Sequence, residues 1–407
     1  MPQPSTVSPR AAVLTDEPGL AADPIADTAA RAALRARVRE LVTEVAPPER
    51  VLELDEREEF DEVLYRALAA DGILAIGADA AYGGSGDIQE QAVVIEELAA
   101  GPTSMAVYLI VHYMGVHILS SFGTEEQRRQ WLTRLVKGEA KLSFALTEPD
   151  GGTDIARVMS TSASQVEGGW VLDGHKRWIG GTNTADFLLV LARTAEPERS
   201  SIDGVTMLLV PGQTPGLSPT VLPTASIRGF DTTEIRFEDV HLPASAVVGV
   251  AGSGFRQVLS TLNRERINAA AGAIGAARGA LDATVSHARD RKAFGSTLGA
   301  FQAVQHRLVD GALAIEAARG LLVRAAAIES AGGRADNLSS MAKVAASEAA
   351  VKVTQDGMEI FGGMGLSRDL PIQRWWRDVR LWVFAPINND MLRNNLGERL
   401  LGLPRSF

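Results

Sequence analysis

Glu265 stands in an unusual setting. The run Asn263-Arg264-Glu265-Arg266-Ile267 puts one carboxylate between two guanidinium groups within a single helical turn. Each helical residue turns the face by about 100°, so the three charges cannot share one solvent-exposed side and at least one points inward. An inward carboxylate is a candidate general base. The ordinary alternative is a surface glutamate paired with its neighbouring arginine. Other segments offer binding chemistry. Phe144, Leu146 and Thr147 lead into the glycine-rich turn Glu148-Pro149-Asp150-Gly151-Gly152-Thr153, where hydroxyl and backbone donors sit beside residues that permit close approach. Trp178, followed by Ile179 and Gly180, offers a flat apolar face, although a lone tryptophan is usually simply core. Arg291 carries the planar, permanently charged fork that suits phosphate oxygens, or else belongs to the solvated run Arg289-Asp290-Arg291-Lys292.

Several chemistries find no support. The chain has 407 residues and no cysteine, which removes disulfides, thiolate nucleophiles and cysteine-ligated metals. Its six histidines show no metal-ligand spacing. Gly83-Gly84-Ser85-Gly86 lacks the spacing of a nucleophile elbow, and no dinucleotide fingerprint follows a strand. A net charge of −10 disfavours a nucleic-acid partner. No apolar run is read as spanning a bilayer, and residues 1–27 lack both a signal-peptide core and the acid-poor composition of a transit peptide. The expectation is a soluble, cytoplasmic protein whose first 27 residues form a flexible tail.

The elements that must hold these residues follow from periodicity. Apolar residues recur at helical spacing through residues 28–140. From residue 141 to 250 short β-prone runs alternate with turn signals, and prolines are too frequent for long helices. The helical period returns over residues 251–407, with alanine-rich segments. The predicted fold is α+β and mainly α: an N-terminal helical domain, a middle β-domain and a C-terminal four-helix bundle.

Four blocks together carry a resemblance. Leu142-Ser143-Phe144-Ala145-Leu146-Thr147-Glu148-Pro149 with its glycine turn, Lys176-Arg177-Trp178-Ile179-Gly180, Arg291-Lys292-Ala293-Phe294-Gly295 with Phe301-Gln302, and Ile360-Phe361-Gly362-Gly363-Met364-Gly365 with Arg377-Asp378 follow one another in order. Each resembles a different part of the flavin site of the acyl-CoA dehydrogenase superfamily. The resemblance implies FAD held by Phe144, Leu146, Thr147, Thr153, Trp178, Ile179, Gly180, Arg291, Phe294, Gln302, Glu359, Gly362, Gly363, Asn388 and Asp390. It also implies that Arg291, Gln302 and the Gly362-Gly363 turn serve a neighbouring subunit, in a homotetramer or homodimer. Electrons would pass to an electron-transfer flavoprotein or a similar acceptor.

One departure is central. Most members carry their catalytic glutamate in a turn that here reads Phe384-Ala385-Pro386-Ile387-Asn388, so the base position falls on Pro386, which can neither take a proton nor donate an N–H. A subset resembling isovaleryl-CoA dehydrogenase places its glutamate just before a shared arginine, where this chain has Glu265 and Arg266. The resemblance therefore implies α,β-dehydrogenation of an acyl thioester, on CoA or a carrier protein, to the 2-enoyl product, with Glu265 as base and Thr153, Asn263 and Arg266 at the substrate. Smaller departures are Glu359 in place of a common glutamine, and Asn388 and Asp390 in place of threonine and glutamine. The altered turn keeps two alternatives open: a flavin oxidase or monooxygenase of the same superfamily, and a redox-inactive subunit that binds acyl thioester beside an active partner.

Overall fold

The computed structural model describes residues 27–405. The tail expected over residues 1–27 falls outside it except for Asp27, whose carboxylate accepts from Arg35 Nε at 2.7 Å.

The N-terminal layer is helical, with long elements at Ala29–Val45, Ile88–Ala99 and Thr103–Phe122. The Ile88–Ala99 helix starts at a reciprocal cap in which Asp87 accepts from the backbone while Glu90 reaches back to the Asp87 N–H. Thr124 and Gln127 form the same device after Phe122. In an 18-residue window of the Thr103–Phe122 helix the mean hydropathy reaches 1.5, so the helix is long and apolar enough to cross a membrane by length and composition alone. It is apolar on most sides because it lies between other elements. A Cβ added at Gly115 would stand 2.1 Å from Leu142 of the sheet, and its other flank meets the Gly254–Asp290 helix.

The middle region is a seven-stranded mixed sheet: β1 (Leu142–Ala145), β2 (Ser162–Val166), β3 (Gly169–Gly180), β4 (Phe187–Arg193), β5 (Val205–Pro211), β6 (Leu217–Val221) and β7 (Thr232–Pro243), ordered β1-β4-β2-β3-β7-β6 with β5 on β4. β4 is buried on both faces, which is why it reads as a continuous apolar run and not as an alternation. β3 and β7 pair antiparallel, with irregularities at Leu172/Gly174 and Arg177/Ile179.

The C-terminal bundle is built on helices Gly254–Asp290, Gln302–Ser330 and Asp336–Phe361, followed by shorter ones ending with Asn389–Arg399. A buried charge cluster joins it to the N-terminal layer. Arg278 contacts Glu96 at 2.9 Å and Glu97 at 2.7 Å, Arg35 reaches Glu97 at 2.7 Å, and Arg319 reaches Glu96 at 2.7 Å. The three cations hold the Glu96 carboxyl far below the usual carboxylate range, overcoming its burial.

Candidate active site

The first binding block is fixed from behind. Lys176 on β3 is fully buried, and its ammonium donates to Glu148 Oε1 at 2.8 Å and to the Leu146 carbonyl at 2.9 Å. Glu148 also accepts from Ser160 N–H at 2.6 Å, Ser160 Oγ at 2.8 Å and Thr161 N–H at 3.0 Å. Burial works against both charges. The ammonium and these donors still hold the Glu148 carboxyl at about 2, and burial brings Lys176 down to about 8. Arg177 N–H adds a bond to the Thr147 carbonyl at 2.9 Å. Phe144, Leu146 and Thr147 are thereby set at the edge of the sheet, half-buried, with Thr153 exposed beyond the turn.

Trp178 occupies the irregularity between Arg177 and Ile179. Its φ of +64° is a rare conformation for a bulky residue, and its ring is 57% exposed with the Arg177 guanidinium 5.1 Å from the centroid. A strained, exposed aromatic beside a rigid donor edge is what a planar ligand site requires. Ile179 turns its side chain into the sheet core, and its carbonyl accepts from the Thr233 hydroxyl at 3.0 Å. Gly180 is needed for packing, since a Cβ there would lie 2.5 Å from the Phe230 ring.

Glu265 is 9% exposed on the Gly254–Asp290 helix, and its Oε1 accepts from the Thr261 hydroxyl at 2.6 Å. Burial raises its pKa, opposed by the Thr261 hydrogen bond and the Arg266 charge. Seven residues on, along nearly the same helical face, Gly272 lies directly against Trp382, next to the turn that carries Pro386. Arg266 Nη1 donates to Asn263 Oδ1 at 3.1 Å. Asn263 in turn donates to Glu329 at 2.8 Å and Asp336 at 2.9 Å. Its amide is fully engaged by these partners.

Sequence reasoning missed Lys343. This fully buried ammonium donates to the Ile387 carbonyl at 2.7 Å, to Asn389 Oδ1 at 2.7 Å and to the Val383 carbonyl at 3.3 Å, and so spans the Pro386 turn. Burial, with the nearby Arg266 charge, lowers it to about 7. In sequence it looks like any lysine of an alanine-rich helix.

The remaining predicted residues form two further groups. Asn388 caps the last helix by accepting from Asp390 N–H at 2.8 Å, and both residues line a polar cleft of about 530 Å³ with Lys352, Arg380 and Arg393. Arg291, Phe294 and Gln302 are exposed at the far end of the Gly254–Asp290 helix. Phe294 is 98% exposed at the tip of a tight hairpin. Glu359 is exposed and pairs with Arg307 at 2.5 Å. Gly362 has φ +62° and ψ −140°, open to glycine almost alone, and neither it nor Gly363 has a neighbour within 4 Å of a would-be Cβ. Glu265 and Arg291, the residue just past the end of this helix, stand roughly 39 Å apart along its axis.

Comparison with known proteins gives the family. Residues 28–139, 143–240 and 252–401 match the family models of the acyl-CoA dehydrogenase N-terminal, middle and C-terminal domains. The probable acyl-CoA dehydrogenase FadE25 of Mycobacterium tuberculosis is 35% identical over 375 residues, 90% of this chain and 94% of that protein. The chain belongs to the acyl-CoA dehydrogenase family. Among solved structures, butyryl-CoA dehydrogenase from Megasphaera elsdenii superimposes with a TM-score of 0.87 at 30% identity, covering 92% of this chain and 99% of that one. PigA with FAD and proline superimposes with a TM-score of 0.87 at 27% identity, covering 93% and 99%. The acyl-CoA dehydrogenase fold and the FAD-dependent oxidoreductase class expected from the motifs are thereby established. The residues present fit FAD: a rigidly held strand edge, a strained exposed ring, an open glycine cradle, the exposed Arg291 guanidinium and a cleft carrying cationic side chains.

Proposed function

We propose that this acyl-CoA dehydrogenase family member removes the α-proton of an acyl thioester with the Glu265 carboxylate, giving the 2-enoyl product. The observation that carries the reading is the burial of Glu265 on the helix whose Gly272 packs against Trp382, with its pKa raised by desolvation. A base whose affinity for a proton exceeds that of an ordinary carboxylate is better matched to a weakly acidic α-carbon. FAD, when bound, supplies the oxidising step by accepting the β-hydrogen as hydride.

The chain's own residues have separable tasks in this reading. Thr261 orients one oxygen of Glu265, which leaves the other for substrate. Arg266, held by Asn263, supplies positive charge beside the base. Phe144, Leu146, Thr147, Thr153, Trp178 and the backbone of Ile179 and Gly180 hold the flavin ring. Pro386 offers no amide hydrogen for the thioester carbonyl. The reading assigns that donation to the Ile387 N–H, on the turn that Lys343 fixes.

The nucleotide half of the site belongs to an assembly. Arg291 and the Gly362-Gly363 cradle are too far along the bundle to share a ring site with Glu265 of the same subunit, and they serve a neighbour's FAD in a homotetramer or homodimer. Exposed apolar side chains support this: Leu366 is 76% exposed, and Leu313 and Val309 project from the Gln302–Ser330 helix. The electron acceptor is an electron-transfer flavoprotein or similar carrier, in the cytoplasm. The acyl group arrives on CoA or on a carrier protein.

Anaerobic mixing of the FAD-loaded protein with a panel of acyl thioesters tests the proposal. The expected outcome is bleaching of the flavin by at least one thioester, and a loss of about 10³-fold or more in Glu265→Gln, in line with a general base that also has to be correctly placed. A Glu265→Gln protein that bleaches at the parental rate with every active thioester removes Glu265 as base. If no thioester bleaches the parent, the redox-inactive alternative takes the place of this reading.

A further inference from the structure

Asn268 lies three residues beyond Glu265, about 4.5 Å up the helix and rotated by about 60° toward the Ile88–Ala99 helix. It is 3% exposed in a stretch that is otherwise apolar: Ile267, Ala269, Ala270 and Ala271 are all buried. Its Nδ2 donates to Gln91 Oε1 at 3.4 Å, and Gln91, itself buried, donates to the Ile76 carbonyl at 2.9 Å. Among the described residues nothing donates to Asn268 Oδ1. Flipping the Asn268 amide would set its oxygen against Gln91 Oε1. A buried carbonyl oxygen without a donor carries a desolvation penalty that an aliphatic side chain would avoid. The neighbouring base cannot serve as donor while it acts as a base, because it must then be ionised and can only accept.

We propose that Asn268 Oδ1 is a specificity-determining acceptor that receives a hydrogen bond from a hydroxyl or N–H on the acyl chain, a few carbons beyond the carbon that loses its proton to Glu265. The preferred substrate class is then an acyl thioester bearing a polar substituent, held by Asn268 with Gln91 fixing the amide. This inference rests on Glu265 as base, which places the reacting carbon one helical step away.

The test compares hexanoyl-CoA with 5-hydroxyhexanoyl- and 6-hydroxyhexanoyl-CoA, by the rate of anaerobic flavin reduction and by calorimetric affinity of the matching 2-enoyl thioesters. The parent should favour a hydroxylated member in both measurements. Asn268→Leu, near-isosteric and without polar atoms, should lower that preference roughly 3- to 10-fold, the range expected for one hydrogen bond. Asn268→Val provides a second variant, and flavin content and melting temperature report whether each is folded. No preference in the parent, or an unchanged ratio in either folded variant, overturns the proposal and assigns the oxygen to a bound water. Failure of the base assignment looks different: Glu265→Gln would then keep reducing flavin, while the affinity ratio of the enoyl pair still reports on Asn268.

Discussion

Replacing Lys176 by methionine tests whether the flavin edge is held by a buried ion pair. The substitution shortens the side chain by one atom, keeps it unbranched and removes its three donors. Glu148, 2% exposed, then loses its counter-ion at 2.8 Å, and the Leu146 carbonyl loses its donor. Breaking a buried pair from one side costs about 3–5 kcal/mol. Glu148 would keep its bonds from Ser160 N–H, Ser160 Oγ and Thr161 N–H, so the loss should fall near the lower limit, about 3 kcal/mol. Glu148→Leu strands an ammonium with a single carbonyl and should fall near the upper limit, about 5 kcal/mol. The double variant should lose less than the sum of the two, because neither charge is left alone. Amide hydrogen exchange of peptides spanning residues 142–153 and 169–180 measures this locally, and a loss of about 3 kcal/mol appears as exchange on the order of 100-fold faster. FAD retention on a desalting column should fall in parallel. Exchange within threefold of the parent in Lys176→Met, with flavin retained, would refute the argument that this pair sets Leu146 and Thr147.

Flavin reduction should rise with pH through a limb set by Glu265 and lying above the ordinary carboxylate range, because burial raises that group and it must be ionised to act. Stability follows the opposite sign: the native state binds the Glu265 proton more tightly than the unfolded chain, so its contribution is lost as pH rises through the raised pKa, and Glu265→Gln should be more stable than the parent at neutral pH. Lys343→Met should lower kcat on the order of 10²-fold with a much smaller change in KM, as expected when a transition-state donor is displaced, and should remove the red shift of a chromophoric enoyl thioester bound through its carbonyl. A red shift that survives in folded Lys343→Met separates the lysine from carbonyl polarisation.

Much of this architecture was readable in the chain because the signals are local. Strand β7 carries an alternation of buried and exposed residues, the Thr124 cap has its glutamine three residues on, and Gly362 takes a φ of +62° at the end of its helix. The Glu265 reading also needed only neighbours in sequence, plus the proline at 386. What escaped depends on pairing at a distance. Glu148 and Lys176 each fell within a recognised block, but their contact exists only because the first binding block folds back on β3. Lys343 and Arg278 sit among alanines and read as solvent-facing charges, and the partners that bury them come from segments far away in sequence. Asn268 gives no signal at all until its carbonyl is seen without a donor.

The cluster of Arg35, Glu96, Glu97, Arg278 and Arg319 constrains how a ligand can enter. Separating the outer helical layer from the bundle would expose a set of charges whose mutual attraction is little screened by salt in so dry a setting. The two halves therefore behave as a single stiff jaw. Under the proposed function, the breathing that admits an acyl thioester toward Glu265 comes from the sheet and its loops, so proteolytic nicking or cross-linking of the β-region should throttle entry while leaving the clamped helices indifferent.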